Sequence, residues 1–291
     1  MDTDITSLEQ FHQHFGTEDA CAAYLFQAKW PNGFNCLRCG HQNAYLTSTR
    51  RLPLYECREC RYQHSLITGT ILEGSRTALH KWFLAIFLVS RIDQGINAVE
   101  LTKKIHVTYK TAWLMLQKIR YAISKEDSQT LLSGVVRVNT TTYGRPYHPS
   151  FSNHPQEHPL LVGTSLNDQG EPTYVKIKQV SESDWRNRQI NLAGTQAFAL
   201  HHVEPQTKDI KFVTGRFSAS RFRDLLIISS HASKWINKTF HGLGSRHLQA
   251  YLDEFTYRLN LSILNQPIFS RLASLCVRTT SVTYLYLTRI A

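Results

Sequence analysis

Acid is scarce in this chain. Its 291 residues hold 22 aspartates and glutamates against 33 lysines and arginines, a net charge of +11 before any of the fourteen histidines is protonated. Such an excess points to a polyanionic partner, nucleic acid first. Long apolar runs are also missing. The longest, WFLAIFLV at residues 82–89, is too short to span a bilayer, so no membrane partner is expected. The N-terminal MDTDITSLEQFHQHF is acidic and polar, unlike a signal peptide. Together these absences read as an intracellular, cytoplasmic chain. Repeats and low-complexity tracts are absent as well. With 42% hydrophobic and 11% aromatic residues, the chain is folded and long enough for two or three modules.

Only six cysteines are present, but four of them form a pattern. CLRCG and CRECR place Cys36 with Cys39 and Cys57 with Cys60, and seventeen residues separate Cys39 from Cys57. Each pair offers two thiolates from one tight knuckle, and two knuckles close a tetrahedral cage around zinc. With all four positions filled by protein, Zn²⁺ here is expected to be structural. His41 and His64 lie near the knuckles, but a four-thiolate site does not require them. Arg38, Arg50, Arg51, Arg58 and Arg61 decorate the ribbon, where they suit either phosphates or solvent. Cys21 and Cys276 have no close partner and read as ordinary buried thiols.

Periodicity assigns the rest. Residues 7–30 look helical, broken at Gly16, and 34–64 look like short strands around the cysteines. Helices are expected over about 77–91, 97–105 and 109–124, with Asn97 as N-cap of the second and Glu100 in capping-box spacing. The first is apolar on most faces and so should be central. The second and third, joined by a short turn, read as a helix-turn-helix. Tyr109, Lys110 and Thr111 then stand at the N-terminal end of a recognition helix, with Lys103, Lys104, Lys118 and Arg120 suited to phosphates. Ala112, Met115, Leu116 and Ile119 should face inward. Lys-Glu-Asp-Ser-Gln at 125–129 reads as a charged linker. Beyond it the period becomes two, with strands at 133–143, 160–167, 172–180 and 210–215 and a hairpin turn at 167–170. A mixed stretch covers 183–202, and a further helix runs from Ser245 to Leu259.

The strand GVVRVNTTTYG at 134–144 alternates as a buried strand should but carries no acid. Together with the ribbon, its following SLITGTILEGSRTALHKWFLAIFLVS, the segment FHGLGSRHLQAYLDEFTYRLN and the near-terminal LASLCVRTTSVTYLYLT, it resembles a bacterial insertion-sequence transposase of the ISXO-type group. The resemblance implies an α/β multidomain chain: N-terminal helices (1–33), zinc ribbon (34–74), a helical helix-turn-helix-like DNA-binding segment (75–126) and an RNase H-like transposase domain (130–291). It implies double-stranded DNA, the element ends, as partner, and self-association on paired ends.

The resemblance also places the family's acidic metal ligands at Asn139, Gly215 and His231. The first two offer a neutral amide and no side chain, and Ser233 stands where a basic residue often follows the third. Arg137 shares a strand face with Asn139 and repels a cation. The stretch from Gly215 to His231 is short for the family, leaving room for one strand and loop fewer. Mg²⁺ belongs here only if an acidic site works. Glu182, Asp184, Asp209, Asp224, Asp253 and Glu254 are the other acids within reach of that role. None is placed like the missing pair. The leading expectation is a DNA-binding transposase relative with impaired catalysis. An active DDE-type enzyme with a rearranged acidic site, and a non-enzymatic zinc-ribbon adaptor or regulator, remain as alternatives.

Overall fold

The switch from helical to alternating periodicity is visible in the computed structural model, which describes residues 5–47, 49, 51–144, 156–187, 189–215, 218 and 221–290. The chain begins with α1 (Leu8–Phe15) and α2 (Glu18–Lys29), then β1 (Ala44–Thr47), β2 (Leu54–Cys57) and β3 (Gln63–Ser65). Three helices follow: α3 (Leu79–Ser90), α4 (Ala98–Ile105) and α5 (Tyr109–Gln129). Next come β4 (Val135–Tyr143), β5 (His158–Leu166), β6 (Pro172–Gln179), the short hairpin β7 (Trp185–Arg186) and β8 (Gln189–Ile190), α6 (Leu192–His202) and β9 (Asp209–Val213). The chain closes with α7 (Arg223–Phe240), α8 (Ser245–Ile263), α9 (Ile268–Arg278) and α10 (Tyr284–Ile290). Among the described residues no helix is long and apolar enough to cross a membrane. The chain divides into two units, 1–91 with 98–122 and 267–289, and 92–97 with 123–266 and 290–291.

The first unit is built on aromatic packing. Phe11 and Phe15 of α1 stack on Phe87 and Phe83 of α3, with ring centroids 5.2 and 4.9 Å apart, and Phe269 of α9 meets both α1 rings edge-on. Helix α3 is buried on most of its faces, as its apolar run requires. Local chemistry sets the ends. Ser7 and Gln10 form a reciprocal capping box on α1, and Thr17 caps α2. Ala78 gives α3 no side-chain cap. Glu18 supplies one from α2, its carboxylate accepting from the N–H groups of Leu79 (2.9 Å) and His80 (3.2 Å).

In the second unit the sheet order is β6-β5-β4-β9. β4, β5 and β6 are antiparallel neighbours, and β9 joins β4 in parallel after the α6 crossover. Alternation gives each face its own core. Val136 and Val138 of β4 pack with Leu161 and with Phe198 of α6. Tyr143, Leu160, Val162, Val175 and Ile177 pack under α7 and α8. Gly163 lets Phe198 approach, since a Cβ there would lie 2.8 Å from the ring.

The outer strand β6 is closed by side chains. Asn260 of α8 accepts from Val175 N (2.8 Å) and donates to its O (2.9 Å). Gln249 accepts from Gln179 N (2.7 Å) and donates to Ile177 O (3.0 Å). Two amides thus occupy strand-edge groups that a further strand would pair.

The segment 125–129 is not a linker. It is the last part of α5, and Asp127 within it is buried against Lys176 (2.9 Å) and Lys178 (2.5 Å) of β6. Lys178 also meets Asp253 of α8 at 2.6 Å, which Ser124 and Gln249 hold in place. Asp253 and Glu254 are interior residues. Charge density along the sequence suggested solvent; pairing across three elements put the charges inside.

Candidate metal centre, nucleic-acid face and catalytic positions

Two equivalent knuckles build the metal centre. In each, the N–H of the first cysteine and the N–H four residues on fold back onto the loop: Cys36 N to His41 O with Gly40 N to Cys36 O, and Cys57 N to Tyr62 O with Arg61 N to Cys57 O. The residue after each second cysteine is left-handed, Gly40 at φ 76° and Arg61 at φ 56°. Glycine is free there, whereas arginine is held by Glu56 (3.3 Å) and the Tyr45 ring (5.3 Å). The knuckles bring Cys36 Sγ within 3.6 Å of Cys60 Sγ and Cys39 Sγ within 3.5 Å of Cys57 Sγ, and all four sulfurs lie within 4.8 Å of one another.

A tetrahedron of thiolates at the usual zinc–sulfur distance has edges of about 3.8 Å, so the four residues fit Zn²⁺. Burial works against charge on Cys36. The His64 ring, 3.3 Å from its sulfur, and the N–H groups of Arg38 and Cys39 outweigh that and hold the thiol well below its ordinary range. His64 is thus an outer partner of the site rather than a ligand. Trp30, Phe34 and Tyr55 pack around it. Bound zinc supplies cross-linking alone here. Cys21 and Cys276 are buried thiols with raised pKa, Cys21 at about 12, because of burial.

Arg51 faces Glu18, and Arg58 lies over the Tyr45 ring. Arg50 lies outside the described residues.

Leu101 and Ile105 of α4 and Ala112, Met115, Leu116 and Ile119 of α5 are all buried. The turn between them is tight: His106 is left-handed at φ 51°, Lys81 donates to its carbonyl (3.2 Å), and Thr108 accepts from Thr111 N (3.3 Å). Lys103, Lys104, Tyr109 and Lys110 are exposed on this pair, and Thr111 is half-buried, bonded to Thr108. The Lys110 ammonium lies 5.3 Å over the Tyr284 ring of α10, and Trp113 meets the same ring edge-on.

Two basic residues expected on this face are elsewhere. Lys118 is buried, donating to Ile71 O (2.9 Å), Glu73 O (3.1 Å) and Ser281 Oγ (2.9 Å). Arg120 is 1% exposed. Neither can reach a phosphate. Sequence gave Lys118 a polar role without its partner, because the covering residues come from 71–73 and 281.

Where the resemblance set the acidic ligands, the second unit shows an interior joint. Asn139 is fully buried; its Nδ2 donates to Phe222 O (2.7 Å) and its Oδ1 accepts from Phe222 N (3.3 Å), which ties mid-β4 to the start of α7. Arg137 forms a two-pronged pair with Asp209 (2.7 and 3.0 Å), which holds the Asp209 carboxyl below the usual carboxylate range. Gly215 follows β9 and presents no donor atom. His231 is exposed on α7, and Asp224 is exposed in its first turn. Further along β4, Thr141 bonds Ser229 (2.9 Å) and Tyr143 donates to Asn237 (2.9 Å).

Among the described residues, the four cysteines are the only group of three or more His, Cys, Asp or Glu side chains gathered for a metal. Asn139, Gly215 and His231 therefore do not fit a pair of hard cations that need several carboxylate oxygens.

The cysteine geometry agrees with what the chain is similar to. Residues 16–63 match the family model of the transposase zinc-ribbon domain of the IS1595 kind. Over 110 residues, 38% of the chain, it is 33% identical to a protein described as an uncharacterized protein in transposable element ISH50 of Halobacterium salinarum. The match spans 37% of that protein. No solved structure matches. The four cysteines set for zinc all lie within the stretch that is similar to a transposase zinc ribbon.

Proposed function

We propose that this protein is a cytoplasmic, DNA-associated relative of insertion-sequence transposases that binds double-stranded DNA at element ends and lacks two-metal strand transfer. The observation that carries the second half is Asn139. Its amide is committed to both backbone groups of Phe222, in the interior, where a metal ligand would need free oxygen lone pairs. Arg137 and Asp209 neutralise each other beside it, so Asp209 is not a spare ligand. The mixed sheet with its parallel fourth strand supports an RNase H-like reading of the second unit.

DNA binding rests on the exposed Lys103, Lys104, Tyr109 and Lys110 around the N-terminal end of α5, with half-buried Thr111 beside them. A recognition helix meets base edges at that end. The test is binding to duplex DNA bearing the element's own ends across a salt series. Three phosphate contacts give a slope of log affinity against log salt of about −3. A flat salt response would overturn the DNA half of the proposal. Robust end joining with Mg²⁺ or Mn²⁺ would overturn the catalytic half.

A further inference from the structure

The near-terminal stretch SVTYLYLT, residues 281–288, runs along α5 within the first unit. Thr283 sets the start of α10, its hydroxyl accepting from Tyr286 N at 3.2 Å. Lys118 of α5 donates to Ser281 Oγ at 2.9 Å. Tyr286 meets the Tyr121 ring edge-on at 5.9 Å, and Tyr284 meets Trp113 in the same way. At 3.6 residues per turn, positions 110, 113, 118 and 121 fall on one side of α5, so these contacts form one seam. The seam ends at the first turn of α5, where Lys110 Nζ lies 5.3 Å from the Tyr284 ring centroid.

Lys110 is exposed, and among the described residues no carboxylate pairs with it. A tyrosine face attracts an ammonium through the ring quadrupole and leaves its charge intact, whereas a carboxylate would neutralise it. A free lysine samples many rotamers, and fixing it costs entropy at the moment of binding. Over the Tyr284 ring the ammonium is ordered before any partner arrives. Tyr284 is itself 44% exposed, beside exposed Leu285 and Tyr286, too open a position for a core residue. It stands next to Tyr109, the exposed first residue of α5, only through Lys110.

We infer that Tyr284 is a positioning residue of the DNA-binding face: its ring holds the Lys110 ammonium, still charged, for a backbone phosphate. The C-terminal segment thereby belongs to that face. This role rests on the DNA-binding reading above.

The experiment uses the full-length, zinc-loaded protein labelled with ¹³C at lysine. Without DNA, the ring current should move the Lys110 ε-methylene signal upfield of the ordinary lysine position, the signal being identified by its loss in Lys110→Ala. Tyr284→Leu keeps apolar bulk against Trp113 but has no π face, so the signal should return to the ordinary position. Tyr284→Phe should retain the shift. An ordinary position in the wild type overturns the proposal. With duplex DNA bearing the element ends, Tyr284→Leu should weaken binding about two- to tenfold at every salt concentration. The salt slope should stay as it is, because the number of phosphate contacts does not change. Tyr284→Phe should bind like the wild type. In the Lys110→Ala background, Tyr284→Leu should have no further effect. A loss that persists in that background shows a structural role and overturns the positioning one. Tighter binding by Tyr284→Leu also overturns it, since α10 would then obstruct the face. No duplex binding by the wild type overturns the DNA reading and this role with it, whereas full affinity in Tyr284→Leu overturns this role alone.

Discussion

Placing an acid at Asn139 of β4 should damage the fold before it helps any chemistry. In Asn139→Asp the acceptor facing Phe222 N survives, but the donor facing Phe222 O, now at 2.7 Å, becomes a second oxygen. One hydrogen bond, about 1 kcal/mol, is lost, and a buried carbonyl left unpaired costs about 1–3 kcal/mol more. Ionising the new carboxyl at a position with 0% exposure costs several kcal/mol further. Arg137 offsets part of this. It lies two residues away on the same strand face, about 7 Å along the backbone. At an effective dielectric near 20 an unpaired charge there would contribute about 2 kcal/mol, and the existing pair with Asp209 leaves less than that. The net loss at pH 7 comes to at least about 3 kcal/mol.

The pH dependence follows from the same balance. A carboxyl that is costly to ionise in the folded state has a folded pKa above its unfolded value of about 3.9. Below that value both states are protonated and the ionisation penalty vanishes. As pH rises, the unfolded chain releases its proton first, and the variant loses about 1.4 kcal/mol per pH unit until the folded carboxyl ionises too. Urea unfolding of both proteins at pH 4, 5.5 and 7 checks this. Equal stability at pH 7 would refute the reasoning. So would a rise in melting temperature of the variant on adding Mn²⁺, because it would show that the joint still accepts a hard cation.

Four further outcomes follow from the other clusters. Cys57→Ser should release zinc, read by metal analysis, and loosen the Trp30–Tyr55 packing, read by near-ultraviolet circular dichroism. Lys110→Ala should weaken DNA binding at constant melting temperature. Lys118→Ala should do the reverse and cost about 2–4 kcal/mol, since its ammonium serves two buried carbonyls and a hydroxyl. His202 is held to a pKa of about 3, first by burial and then by Lys178 and Lys176. Its unfolded pKa is about 6.5, so the unfolded state binds more protons between those values. Stability should therefore fall as pH drops from about 6.5 towards 3. Equilibrium unfolding of His202→Gln should show a shallower acid decline, and an unchanged curve would sink that assignment.

The residues that could be read from sequence act over short range. Two Cys-x-x-Cys pairs determine their own knuckles, and the α4–α5 turn is set by neighbours such as Thr108 and Thr111. The strands of the second unit follow from alternation that the sheet enforces. What escaped the sequence depends on distant segments. Lys118 and Arg120 flank the apolar stripe of α5 by about 100° on either side. A stripe shows where a core is, but exposure of its flanks depends on what covers them. For Lys118 the cover comes from residues 71–73 and 281. Likewise Asp127 looked like linker charge because its lysines are 49 and 51 positions away.

The same distinction bears on how the proposed loss of catalysis would arise. A metal site tolerates one poor ligand better than a rebuilt interior. In this chain the positions named in the proposal carry contacts of their own. Asn139 joins β4 to α7, Arg137 engages Asp209, and Thr141 and Tyr143 continue the series of contacts to Ser229 and Asn237. Each is a stabilising contact that an ionised carboxylate or a hydrated cation would have to displace. Asn139 and Arg137 lie two positions apart on β4 and tie it to α7 and β9, so changes at the two should be non-additive. Asn139→Asp with Gly215→Asp should remain inactive in strand transfer while Arg137 is present. The triple change, with Arg137→Glu, is the smallest set in which a cation could be energetically admitted. Strand transfer by the double variant alone would show that the positions act independently, and would remove the argument that the interior, rather than a missing ligand, is what excludes the metals.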